Sequence, residues 1–128
     1  MRFRVAPEVF AMAPGCCVGL VLATGLDNRV SEPSIAALLS GEVGAVRASL
    51  AGSSLSDEPA IAVWRQAFER AGIESDRYPS AIESLLLRVV NGEDLPQISP
   101  AVDLANAISL RHRVPIGAHD VDRLRGDV

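Results

Sequence analysis

Residues 80–92 carry the signal that most restricts what this chain can fold into. Ser80 and Glu83 have the S-x-x-E spacing of a capping box. Ile82, Leu85, Leu86, Val89 and Val90 then recur at i, i+3, i+4, i+7 and i+8 before Gly92. A helix with such a stripe must bury it against another element. Three further segments read the same way. One starts at about Pro33, behind Ser31, and runs toward Leu50; Gly41 and Gly44 each weaken its middle by ~1 kcal/mol relative to Ala, so it reads as one helix or as two. Another runs from near Asp57 to Ala71 and is stopped by Gly72, with Ile61, Trp64, Phe68 and Ala71 on one face. The last is capped by Ser99, has Pro100 at its first position, and runs to about Arg113 before Pro115.

Strand signals are fewer. Phe3–Val5 and the stretch from Pro115 to Ala118 are short candidates. Cys16 to Ala23 is a continuous apolar run between Pro14-Gly15 and Gly25. It reads as a strand buried on both faces, although periodicity alone does not exclude a helix. On that reading Cys16 and Cys17 are reduced core residues, since free Cys packs as a small hydrophobe and vicinal Cys rarely pair. One or two strands cannot form a stable sheet, while four helices need a surface to cover. The expected class is therefore α/β (mixed α+β), with helices packed on a mixed sheet. The sheet is expected to be completed by strands after Val128, so that the chain is C-terminally incomplete and exposes an apolar sheet face or edge. A homo-oligomer is a further expectation from such a patch.

The bulk composition excludes several classes. Hydrophobic residues are 48% and charged residues 22% of the 128, which is not the balance of a disordered chain. Two Cys exclude a disulfide-dense miniprotein. With only 4% aromatics the core must be aliphatic. A net charge of −4 does not suit a general nucleic-acid coat. All twelve basic residues are Arg, so any anion contact would be made by guanidinium forks. The longest apolar stretch is far short of the ~20 residues needed to cross a bilayer. Arg2 and Arg4 are followed by no long apolar region of signal-peptide type. A cytoplasmic chain without membrane contact is the expectation.

Familiar chemical motifs are missing. Gly15, Gly19 and Gly25 fit neither common phosphate loop. His112 and His119 are isolated, and no H-x-x-x-H or C-x-x-C occurs, so no metal or cofactor is expected. There is no G-x-S-x-G elbow. The unusual feature is Asp103, Asn106 and Ser109, at i, i+3 and i+6 along an otherwise apolar helix. They either tie neighbouring loops in place or line a pocket, and Asp103 and Asn106 are expected to be largely buried. Asp27-Asn28-Arg29 reads as a turn. Arg65, Arg77 and the Arg111-His112-Arg113 run are solvated surface or phosphate contacts.

The segment from Leu95 to Leu110, with Val102-Asp103 and Asn106, followed by Pro115-Ile116-Gly117-Ala118-His119-Asp120, resembles the B-three/B-four tRNA-editing domain of the phenylalanyl-tRNA synthetase beta chain. Freestanding members of that family are more similar still. Pro14-Gly15, Gly25-Leu26-Asp27-Asn28, Trp64-Arg65-Gln66-Ala67-Phe68 and Tyr78-Pro79-Ser80 match them, so the resemblance spans essentially the whole chain. The position two residues after Pro115, often His in the synthetase form, is Gly117 here, and His119 is displaced by two.

The resemblance implies one editing-type domain over residues 1–128, the N-terminal part of a three-layer fold. It implies hydrolysis, in trans, of the ester of a mischarged aminoacyl-tRNA; the alternative is a non-catalytic tRNA-binding, RNA-binding or protein-interaction module. The partner would be the aminoacylated 3′ end of tRNA. His119 and Asp120 are the catalytic candidates. Asp103, Asn106, Ser109, Gly117 and Ala118 would bind substrate or scaffold the pocket, and Arg111 and Arg113 would contact RNA phosphate.

Overall fold

The computed structural model describes residues 2–128. It holds five α-helices: α1 Pro7–Met12, α2 Pro33–Ser49, α3 Pro59–Arg70, α4 Ala81–Val90 and α5 Pro100–His112, with a 3₁₀ turn at Leu55–Asp57 before α3. Helix accounts for 48% of the chain, and the described residues contain no strand. The expected α/β fold, with helices on a mixed sheet in three layers, is overturned: this is an all-helical arrangement.

The reason lies in pairing. Strand-forming residues make a strand only when a neighbour takes up their backbone groups. Residues 16–23 have no such neighbour. Cys16 donates its N–H to Ala13 O within the preceding turn, and no ladder follows. Cys17 is exposed and Cys16 half-buried, both as free thiols, so neither is the core residue expected on a central strand. Near the first candidate strand, Arg4 N–H donates to Val128 O (2.7 Å) and Val128 N–H to Arg2 O (2.9 Å). That is a single step of parallel-type pairing, and it does not continue.

The helices are placed much as their residue patterns require. In α2, Leu39, Val43 and Val46 are buried while Gly41 and Gly44 face solvent, so the glycines fall where no packing is lost and the helix stays unbroken over 17 residues. Ile61 of α3, Ile82, Leu86 and Val89 of α4, and Ala107 and Leu110 of α5 complete the core. Trp64 and Leu85 pack half-buried against it, and Trp64 meets Phe68 edge-on at 6.2 Å between ring centroids. The core is aliphatic, as the low aromatic content demands. Helix α5 lies chiefly against α2, with α4 beside both.

Ser80 caps α4 by accepting from Glu83 N–H at 3.3 Å. The reciprocal half of the capping box does not form, because the Glu83 carboxylate turns to Arg65 instead. α5 ends on Arg113 at φ 56° and ψ 38°, a left-handed residue that is not glycine.

Candidate functional site

The two ends of α5 are held by its polar arc. Proline at its first position has no N–H to satisfy, and Ser99, the residue at the N-cap, makes no side-chain cap bond. The cap comes from elsewhere: Asn28 Oδ1 accepts from Ala101 N–H at 2.9 Å, across 73 residues of sequence. Asp103, 6% exposed, reaches back to accept from Ile98 N–H at 2.9 Å. At the other end Ser109, also buried, donates its hydroxyl to Val114 O at 2.6 Å. Asn106, midway between, is half-buried, so only one of the two residues expected to be largely buried is so.

Between the 28–32 turn and the start of α5 lies a cleft of about 200 Å³, lined by Asn28, Arg29, Ser31, Gln97, Ser99 and Asp103 among others. Its wall is polar and offers both donors and acceptors. The guanidinium of Arg29 stands largely in solvent and bonds Asp27 Oδ1 at 3.1 Å. That bond, followed by the bond from Arg29 N–H, holds the Asp27 carboxyl below its ordinary value. A larger hollow of about 510 Å³ lies over the 69–77 turn region. Arg77, one of the phosphate-contact candidates, lines it. The cleft at α5 gathers far more of the motif.

The remaining sequence candidates lie apart from the cleft. Pro115 to Asp120 follows the C-terminal end of α5, and Gly117, Ala118, His119 and Asp120 are all exposed. A Cβ added at Gly117 would sit 3.6 Å from His119 Nε2, an ordinary contact. Asp120 accepts from Asp122 N–H at 3.1 Å and pairs with Arg123. Among the described residues no hydrogen bond or ion pair joins His119 or Asp120 to the cleft.

Arg111 and Arg113 have intramolecular partners. Arg111 Nε donates to Glu42 Oε1 at 2.8 Å, tying α5 to α2. Arg113 donates to Leu110 O and, at 3.1 Å, to Ser49 Oγ, with Glu58 at 3.9 Å.

Two relationships escaped the sequence reading. The long-range cap by Asn28 has no local signal, because an Asx residue in a turn looks the same whether it bonds its own turn or a distant helix. Glu83 is 2% exposed and takes Nε of Arg65 at 3.0 Å and its Nη2 at 2.5 Å, while Nη1 of Arg65 meets Asp76 at 3.2 Å. The Glu83 bond is the main cause that raises the Arg65 guanidinium above its ordinary value. The S-x-x-E spacing pointed to Glu83, but to a different partner.

Among the described residues no group of three or more His, Cys, Asp or Glu is placed to hold a metal ion, and no helix is long and apolar enough to cross a membrane. No curated protein matches the chain, and no solved structure does. The B3/4 domain family matches residues 63–128, from within α3 through the Asp103–Asn106 motif to the Pro115–Asp120 segment. The chain belongs to the B3/4 domain family, that of the phenylalanyl-tRNA synthetase beta-chain B3/B4 domain.

Proposed function

We propose that residues 1–128 act as one editing-type domain that receives the aminoacylated 3′ end of a tRNA and promotes hydrolysis of a mischarged ester in trans. The observation that carries this reading is the polar cleft at the start of α5, whose wall includes the family-motif residue Asp103, buried and hydrogen-bonded. A site of this kind suits an ester substrate. The acyl group is already activated, so an oriented water and stabilisation of the developing oxyanion are the main requirements. Asp103 and Asn28 hold the cleft walls. Ser99 and Gln97 offer hydrogen-bonding groups at its rim, and the largely solvent-exposed Arg29 is the nearby cation for a phosphate of the 3′ end. Asn106 and Ser109 serve as scaffold. Gly117, Ala118, His119 and Asp120 follow the opposite end of α5 and take no part in the chemistry of this cleft.

The second reading is a non-catalytic module that binds the tRNA 3′ end. It is favoured by one observation: His119 and Asp120 do not line the cleft. Both readings agree with a net charge of −4, because a pocket for one terminal nucleotide does not need the charge of a backbone-tracking surface. Release of amino acid from a panel of mischarged tRNAs separates them. Hydrolysis above the spontaneous rate supports the first reading. Saturable binding without hydrolysis supports the second, and the absence of both hydrolysis and binding removes both.

A further inference from the structure

The cleft at the start of α5 is lined by two carboxylates, Glu32 and Asp103, and by one guanidinium, Arg29. Arg29 is matched by Asp27, which it bonds at 3.1 Å. Two helix N-termini meet here, that of α2 behind Glu32 and that of α5 behind Ser99, each equivalent to about half a positive charge. The cleft is left with an excess of roughly one negative charge, so it suits a cation better than an anion. Its volume of about 200 Å³ lies below the roughly 300 Å³ at which pockets begin to enclose drug-sized ligands. It therefore takes one end of a substrate rather than the whole. An aminoacylated 3′ end carries phosphate on its nucleotide side and a single α-ammonium on its acyl side. We propose, resting on the reading of this cleft as the receptor for that end, that Asp103 and Glu32 recognise the free α-ammonium of the acyl group, so that the substrates are esters of amino acids whose amine is unblocked.

An ammonium group brings three donors and no acceptor, and the cleft holds matching oxygens. Asp103 uses only Oδ1, on Ile98 N–H. Its Oδ2 has no hydrogen-bond partner among the described residues, and no fully buried side-chain oxygen or nitrogen lacks one, so Oδ2 opens on the cleft that Asp103 lines. Glu32 caps α2 through Oε1 alone, which accepts from Ser34 N–H and from Ser34 Oγ at 2.9 Å, and this leaves Oε2. The Ser99 hydroxyl, which makes no cap bond to α5, is a third acceptor. A metal ion fits less well. It asks for six or more oxygens, and among the described residues no third His, Cys, Asp or Glu joins these two acids in a metal-holding group. Asp103, nearly inaccessible, is the stronger contact, because a bond between charged partners gains most away from water. Glu32 is exposed, and its attraction is screened.

Binding of 3′-alanylamino- and 3′-tyrosylamino-3′-deoxyadenosine to the whole chain tests this, read from saturable amide shifts at the cleft. Each probe is compared with its 2-hydroxyacyl counterpart, which loses the charge at equal size, and with its N-acetyl form, which loses the charge and adds bulk. The free amine should bind about tenfold more tightly than the hydroxyacyl form. Asp103→Asn keeps the Oδ1 acceptor for Ile98 and should abolish most of that preference. Glu32→Gln keeps the cap on α2 and should reduce it by a smaller factor. Glu74→Gln, an exposed acid over the other hollow, should leave it unchanged. Hydroxyacyl and free-amine probes that bind equally well at the cleft overturn the ammonium proposal and leave the cleft as the receptor. The same holds if only the N-acetyl form is weakened, since size rather than charge is then read, or if the preference survives both Asp103→Asn and Glu32→Gln. Probes that bind nowhere near the cleft in any form overturn the proposal together with the reading on which it rests.

Discussion

One oxygen of the buried Glu83 carboxylate accepts two hydrogen bonds from Arg65, from Nε at 3.0 Å and from Nη2 at 2.5 Å, and this joins α4 to α3. The acid is nearly inaccessible, while the Arg65 side chain is about one-third exposed and also meets Asp76. Burial removes the Glu83 carboxylate from water, so its hydrogen bonds come from Arg65.

Arg65→Ala should therefore destabilise the fold by about 3 kcal/mol, because it leaves a buried carboxylate without its cation. The double replacement Arg65→Met with Glu83→Leu should recover most of that loss. Urea denaturation midpoints measure both. The raised pKa of Arg65 means its contribution is complete below the ordinary arginine value and fades only as pH rises through the higher folded one. The gap between wild type and Arg65→Ala should therefore stay constant through the neutral range.

Asn28→Ala removes the cap on α5 and should cost about 1 kcal/mol. Asn28→Asp keeps the acceptor and should cost much less. Hydrogen exchange at the Ala101 amide, the donor to Asn28 Oδ1, should quicken in the Ala variant alone. An unchanged Ala101 rate would remove Asn28 from the cap.

At Arg113 two effects oppose each other. The left-handed backbone costs a side chain about 1 kcal/mol, which Gly avoids. The guanidinium, though, bonds Leu110 O and Ser49 Oγ. Arg113→Gly should thus be more stable than Arg113→Ala by about 1 kcal/mol, with both below wild type. Thermal unfolding of the three proteins provides the comparison.

Asp27 should titrate below the ordinary aspartate range, and Arg29→Ala should bring it back up. With the folded value depressed, the stabilisation is present above the ordinary value and is lost as pH falls through the lower one. Carbon-detected carboxyl titration by NMR reads this at the residue itself.

Four of the five helices were legible because their signals are local; α1, with no side-chain cap bond and no buried residue, was not. The stripe from Ile82 to Val90, the Ser99-Pro100 start and the Gly72 and Gly92 stops all act within a few residues. Glu83 shows the limit: its spacing was readable, but its partner Arg65 comes from another helix. Residues 16–23 show a deeper one. Apolar, β-branched sequence states a willingness to be a strand, but a strand exists only through its neighbour, and here no ladder forms. The candidate site was legible in the same uneven way. Asp103 and Ser109 stood out as polar residues on an apolar helix and each ties a loop backbone. Asn28 looked like an ordinary turn residue because its bond partner lies 73 positions away.

The cleft between the 28–32 turn and the start of α5 is the proposed receptor for the aminoacylated 3′ end of tRNA. Amide chemical-shift mapping with a non-hydrolysable 3′-aminoacylamino-adenosine tests it without requiring turnover. Saturable shifts are expected centred on Asn28, Arg29, Gln97, Ser99 and Asp103, weakened by Asn28→Ala. No saturable shift, or shifts confined to the hollow over residues 69–77, would contradict it.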